Sequence, residues 1–163
     1  MRIRRWLFDR GDNLAGAIYG TILVTSLVAA ADGQAEIWRS LGIVEVTVVV
    51  FWLAHVYADA LGRSVDSGER FTFAGVRRIA ARQWPLLQAA IIPSLALLAG
   101  CLDLIATRTA YLIAIGYGVA ALVWWGFLFA RKEQLGRGAT IAVVVVNLSF
   151  GLCIVALKEF VSH

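Results

Sequence analysis

Glu45, His55 and Asp59 are the side chains in this sequence best placed to do chemistry, set among valines and aromatics between Leu41 and Leu61. At about 100° per residue, they and Trp52 fall within roughly a quarter of a helix circumference. Two carboxylates with an imidazole between them are the parts of a proton or ion relay, because an imidazole ordinarily changes charge near neutrality. Ionisable groups inside a membrane span are expensive, so a stripe of them has to face protein or water rather than lipid. The expectation is that Glu45 accepts a proton or cation on one side, His55 relays it and Asp59 releases it on the other. Trp52 would form a constriction, Arg63 would modulate the exit, and Glu45 would stand about 15 Å from His55 along the axis. The competing reading is structural: Glu45 pairs with Arg108 or Lys158 at the rim, and His55 with Asp59 as an i, i+4 pair.

Asp103 and Asn147 are the other polar candidates. Asp103 reads either as half of a rim salt bridge with Arg108 or as a vestibule ligand. Asn147 stands at mid-span, where it either lines a path beside His55 or, with Ser149, hydrogen-bonds between helices. Pro93 removes one backbone bond in its helix, and Ser94 is expected to re-satisfy the break. Gly16 with Gly20, and Ala96 with Gly100, have the small-xxx-small spacing of close helix contacts, within one chain or between protomers.

The elements that must position these groups are long. The chain has 163 residues, of which 60% are hydrophobic and only 16% charged, a balance outside the soluble range. Its mean hydropathy is +0.77. Five runs, over 14–31, 41–61, 84–106, 110–130 and 139–157, each have the length to cross a hydrocarbon layer of about 30 Å as a helix. The fold class expected is an all-α integral membrane protein, a five-transmembrane-helix bundle forming a single domain over 1–163. Twelve basic residues fall on one side of these spans and three (Arg39, Arg108 and Lys158) on the other. The positive-inside rule then puts the N-terminus in the cytoplasm and the C-terminus outside. Trp6, Trp84, Trp124 and Trp125 would lie at the inner interface, with Trp38 and Tyr111 at the outer one. Ala29-Ala30-Ala31 before Asp32 looks like a signal-peptide cleavage site, but the preceding 18-residue run is long for one, so the first span is expected to be retained.

Two amphipathic segments flank the spans. The N-terminal stretch around Ile3, Trp6 and Leu7 reads as an interfacial anchor. The segment 63–83 begins as a flexible polar loop; from Thr72 onward Phe73, Val76, Ala80 and Trp84 recur at helical intervals opposite Arg77, Arg78 and Arg82. That pattern predicts a helix lying on the inner leaflet. The turn between the third and fourth spans is expected at Thr107-Arg108-Thr109.

Several classes are excluded. Gly116-Tyr117-Gly118-Val119-Ala120-Ala121 matches a dinucleotide-binding string, but it has no preceding strand and lies inside a span. No HExxH, Walker or nucleophile-elbow string is present, and the second histidine is His163, so neither a metal, a two-histidine haem nor another cofactor is expected. Cys101 and Cys153 read as two free buried thiols. The partners expected are the lipid bilayer, a proton or small ion, and further copies in a homo-oligomer or a larger membrane complex, with no nucleic acid. The sequence reading is therefore a non-enzymatic proton- or ion-coupled channel or transporter of a bacterial cytoplasmic membrane, or else an accessory or scaffold subunit.

Overall fold

Backbone amides in apolar runs of this length have to pair among themselves, and coiling does so locally. In the computed structural model, which describes residues 12–31, 36–67 and 72–161, six helices form and no strand. They are α1 (Asp12–Ala31), α2 (Ile37–Ser67), α3 (Phe73–Arg82), α4 (Trp84–Cys101), α5 (Thr107–Lys132) and α6 (Arg137–Val161). All but α3 are long and apolar enough to cross a membrane. The N-terminal anchor with Arg2, Arg4, Arg5, Trp6 and Arg10, the residues Asp32 and Arg70, and His163 lie outside the described residues, as does the side chain of Lys158.

Helix α2 is longer than its apolar run at both ends, reaching 31 residues. At its C-terminal end the segment expected as a loop stays helical through Ser67. The Arg63 Nε donates to Asp59 Oδ1 at 3.0 Å, an i, i+4 pair with the acid on the N-terminal side, the orientation that favours a helix. Helix α3 forms where the amphipathic spacing places it. Thr72 caps it with extended dihedrals (φ −119°, ψ 145°), its hydroxyl accepting from the Gly75 N–H at 3.2 Å. Its Ile79 is buried against Val56 and Ala60 of α2, with Val76 and Ala80 beside it, while Arg77, Arg78 and Arg82 are exposed. Phe73, expected on the apolar face, is exposed instead. One residue, Gln83, separates α3 from α4, and Pro85 in the first turn of α4 suits a position whose N–H has no helical partner.

The turn after α4 comes earlier than expected. Asp103 takes φ 53°, the Asp103 N–H donates to the Gly100 carbonyl, and the Leu104 N–H to the Ala99 carbonyl. Those two bonds around a left-handed residue make a Schellman cap, which stops α4 at Cys101 and makes Thr107-Arg108-Thr109 the first turn of α5. Gln134 (φ 53°) ends α5 in the same way, through bonds from the Gln134 and Leu135 N–H groups to the Arg131 and Ala130 carbonyls.

Helix α1 lies at the centre, packed on α4 and α5 and less extensively on α2 and α6. The core joins Val24 and Val28 of α1, Val44 and Val48 of α2, Leu86 and Leu97 of α4, and Tyr111 and Ala114 of α5. Tyr111, expected at an interface, is buried: its hydroxyl donates to Ser40 Oγ at 2.7 Å, tying α5 to α2. Trp38 is exposed, and the outer surface carries Val46, Leu53, Leu112, Ile141 and Phe150, an apolar belt that suits lipid.

Gly20 and Gly100 serve packing within the chain. A Cβ on Gly20 would come within 2.8 Å of the Leu86 carbonyl oxygen, and one on Gly100 within 2.6 Å of Ile37 Cδ1 and 2.8 Å of Ala110 Cβ. Ala96 is buried in the same core. Gly16 differs, with nothing nearer its Cβ position than Gln83 Oε1 at 3.9 Å. Gly118 abuts Thr25, whereas Gly116 has no neighbour within 4 Å. Pro93 is buried within an unbroken α4, but the Ser94 hydroxyl is buried with no hydrogen-bond partner among the described residues, so it does not repair the proline break.

Candidate functional site

The candidate site is a cleft at the end of the bundle where α1 begins, α2 ends and α3 meets α4. That end carries Arg63, Arg77, Arg78, Arg82, Arg131 and Lys132, and is called here the arginine-rich end. The cleft has a volume of about 430 Å³. Its α1 wall is Ala15, Gly16 and Tyr19, and its α2 wall is His55, Ala58, Asp59 and Arg63. Arg82, Gln83 and the fully buried Leu86 complete the lining. The space exists because α1 and α2 both rest on α4 and touch each other less.

His55 is half-buried in this cleft. Its Nδ1 lies 2.8 Å from the Phe51 carbonyl oxygen. A carbonyl can only accept, so Nδ1 carries the proton and Nε2 of the neutral ring keeps the lone pair that can take one up. The Tyr19 ring stands 5.1 Å from the imidazole, centroid to centroid, and the Phe51 ring 6.4 Å, holding it between α1 and its own helix. Asp59, one turn on, pairs with Arg63 rather than with His55. The pair is partly exposed, with 41% of the Arg63 side chain and 28% of the Asp59 side chain accessible. The cleft thus places a proton-accepting imidazole, a carboxylate, a phenol and two guanidinium groups around one opening.

Glu45 is not part of it. It is exposed on the flank of α2 beside Val46 and Val49, with no ion pair to Arg108 among the described residues. The ionisable stripe is therefore divided. Trp52 sits at the division, half-buried and packed against both core clusters, its indole N–H buried without a hydrogen-bond partner among the described residues.

The remaining candidates lie elsewhere. Asp103 is exposed in the α4–α5 turn, where its left-handed backbone is the reason for its position. Asn147 is buried on the α5–α6 seam against Gly126, and its amide donates to Val143 O of its own helix at 3.0 Å. Ser149, exposed, donates to Val146 O of the same helix, so among the described residues neither side chain makes the expected bond between helices. Cys101 is buried and Cys153 exposed, and both are free. No group of His, Cys, Asp or Glu suited to a metal ion occurs among the described residues.

No family model, curated protein or solved structure matches this chain. Its function has to be argued from the site alone. Sequence reasoning missed Tyr19, which packs on His55, and Arg82 and Gln83, which line the same cleft. Tyr19 and Gln83 lie on elements whose approach to α2 no local pattern reveals, while Arg82 was visible as one arginine of an amphipathic face.

Proposed function

We propose that this protein is a small polytopic membrane protein coupling the movement of a proton or small ion to the charge state of α2, with its N-terminus and arginine-rich end in the cytoplasm. The observation that supports this reading is the cleft itself, which joins His55 and Asp59 to an opening at the arginine-rich end. Water in it would reach His55 about 6 Å deeper along α2 than Asp59. Beyond His55 the way is closed by the packed Val44, Val48, Leu97 and Tyr111, so one chain alone forms a half-path. Glu45, on the uncovered flank of α2, would belong to the opposite half-path, completed by a second copy of the chain. A carboxylate within a span is costly among lipids, so a covering protein surface is the arrangement that suits it.

The same uncovered flank favours a second reading, an accessory subunit whose α2 docks on a different membrane protein. Proton flux in proteoliposomes, followed with an internal pH dye, tests the first reading. His55→Ala should lower flux by about a hundredfold, the scale on which positioned proton-transfer groups act. Unchanged flux in that variant, or no flux in the wild-type protein, would overturn transport. Cysteines introduced at Val46 and Val49 separate the readings further: cross-linking to a second copy fits the oligomer, and cross-linking only to another protein fits the subunit.

A further inference from the structure

His55 keeps its place whether or not it is charged. Its Nδ1–H donates to the Phe51 carbonyl oxygen at 2.8 Å, and Nδ1 is a donor in both this neutral tautomer and the protonated ring. A proton arriving at Nε2 therefore changes the charge of the imidazole without turning it over. Two aromatic rings flank it. Phe51, with centroids 6.4 Å apart, is on the same helix and moves with it. Tyr19, at 5.1 Å and tilted by 48°, is on α1, so its distance from His55 is set by the gap between two helices. A cation within about 6 Å of an aromatic centroid is attracted to the ring face. Charging His55 thus adds a pull on α1 that the neutral ring does not exert.

The packing of α1 decides whether it can answer that pull. Gly20 lies against the Leu86 backbone, where even a Cβ would not fit, so α1 is held to α4 there. One turn earlier the hold is gone, with nothing nearer the Gly16 Cβ position than Gln83 Oε1 at 3.9 Å. Ala15, Gly16 and Ala58 put no bulk between α1 and α2, which touch each other less than either touches α4. The stretch of α1 before Gly20 is therefore the part free to swing. Other charges face the imidazole. On α2, Asp59 and Arg63 pair with each other, and at the end of α3 Arg82 has a partner of its own. From α1 the Tyr19 phenol lines the cleft, and from α4 the apolar Leu86. The two guanidinium groups push an imidazolium toward a wider cleft, but both are already engaged, whereas Tyr19 lies against the ring. We infer that proton uptake at His55 Nε2 closes the cleft: α1 turns about Gly20 and draws Tyr19 onto the imidazolium. The inference rests on the proposed delivery of protons to His55 through the cleft, and it adds that the proton is enclosed once taken up.

The test is the distance between nitroxide labels on Ala15→Cys and Gly62→Cys, two exposed positions on α1 and α2, in a full chain carrying Cys101→Ser and Cys153→Ser. It is read by double electron–electron resonance in mild detergent. Between about pH 8 and about pH 5, the window in which an ordinary imidazole takes up its proton, the ratio of short to long distances should rise about five- to thirtyfold. His55→Gln and Tyr19→Leu should each remove the response, while Tyr19→Phe should keep it, because the ring face and not the hydroxyl holds the cation. Helical content by circular dichroism should stay constant across the range. A distance that ignores pH, or a response that survives His55→Gln or Tyr19→Leu, overturns the proposal. So does a distance that lengthens on acidification, since repulsion from Arg63 and Arg82 would then prevail. Flux measured on the same preparation keeps the two readings apart. A fixed distance with flux intact sinks the clasp alone, and a pH-dependent distance without flux sinks transport alone.

Discussion

Replacing Gly20 and Gly16 separately by alanine should have opposite effects, although the two form one GxxxG pair. At Gly20 the new Cβ would lie 2.8 Å from the Leu86 carbonyl oxygen and 2.9 Å from the Leu86 Cα, both backbone atoms that no rotamer change can remove. Ordinary contact begins near 3.4 Å, so α1 has to lift from α4 by about 0.6 Å at this point. A gap of that size forfeits roughly a quarter to a half of each contact worth about 0.1–0.2 kcal/mol. Spread over several tens of atom pairs in the tightly packed Ala17–Val24 stretch, this comes to about 1–3 kcal/mol, the usual cost of overpacking. The better helix propensity of alanine offsets up to about 1 kcal/mol. Gly20→Ala should therefore cost about 1–2 kcal/mol net. At Gly16 the nearest atom would be 3.9 Å away, so Gly16→Ala fits without movement and should be neutral or stabilising by up to about 1 kcal/mol. The assay is reversible unfolding of the detergent-solubilised protein by added dodecyl sulfate, followed by tryptophan fluorescence, with oligomeric state measured alongside. Equal effects at the two positions would refute the reasoning. A loss of oligomer with unchanged unfolding would refute it more sharply, by moving the motif to an interface between chains.

Two further perturbations test the frame around the site. Tyr111→Phe deprives the buried Ser40 hydroxyl of its 2.7 Å partner and should destabilise by about 1–3 kcal/mol, with Ser40→Ala in the same chain restoring part of the loss in a double-mutant cycle. Asp103→Val places a β-branched residue at φ 53° and should cost about 1–2 kcal/mol, whereas Asp103→Gly and Asp103→Asn should unfold like the wild type. In proteoliposomes Asp103→Asn should leave flux unaltered, since the structure explains this residue by its backbone rather than its charge.

What the sequence made legible follows from how local each signal is. The five spans could be read because an apolar run of about twenty residues has no stable alternative to a helix in lipid. Helix α3 was legible because its arginines and apolar residues alternate with a helical period and Thr72 is a good cap. The ends of α2 and α4 were not. Hydropathy falls after Leu61, yet the Asp59–Arg63 pair carries α2 on to Ser67; it stays high after Cys101, yet the Asp103 cap stops α4. Both are side-chain or dihedral events that a composition window averages away. That Tyr111 would be buried was not legible for a related reason, since an aromatic with a hydroxyl suits an interface equally well as a buried bond to Ser40.

The division of the ionisable stripe has a geometric cause. Helix α2 packs through Val44, Val48, Trp52, Val56 and Ala60, a row of i, i+4 steps. Each step turns about 40° around the helix, so the row is inclined to the axis, as ridges between crossed helices are. Glu45, His55 and Asp59 keep nearly to a straight line along the same helix. An inclined row and a straight line cross once, and they cross at Trp52, which belongs to both. Glu45 follows Val44 and so falls about 100° to one side of the row. His55 and Asp59 precede Val56 and Ala60 and fall about 100° to the other. A shared helical face is therefore not a shared environment when the helix crosses its neighbours, and any path joining Glu45 to His55 has to pass the packed row at Trp52. Shortening Trp52 to alanine would open that crossing. If the two halves belong to one route, Trp52→Ala should raise proton leak in proteoliposomes, and Glu45→Gln in the same chain should suppress it. A leak indifferent to Glu45 would show that the carboxylate and the imidazole serve separate ends.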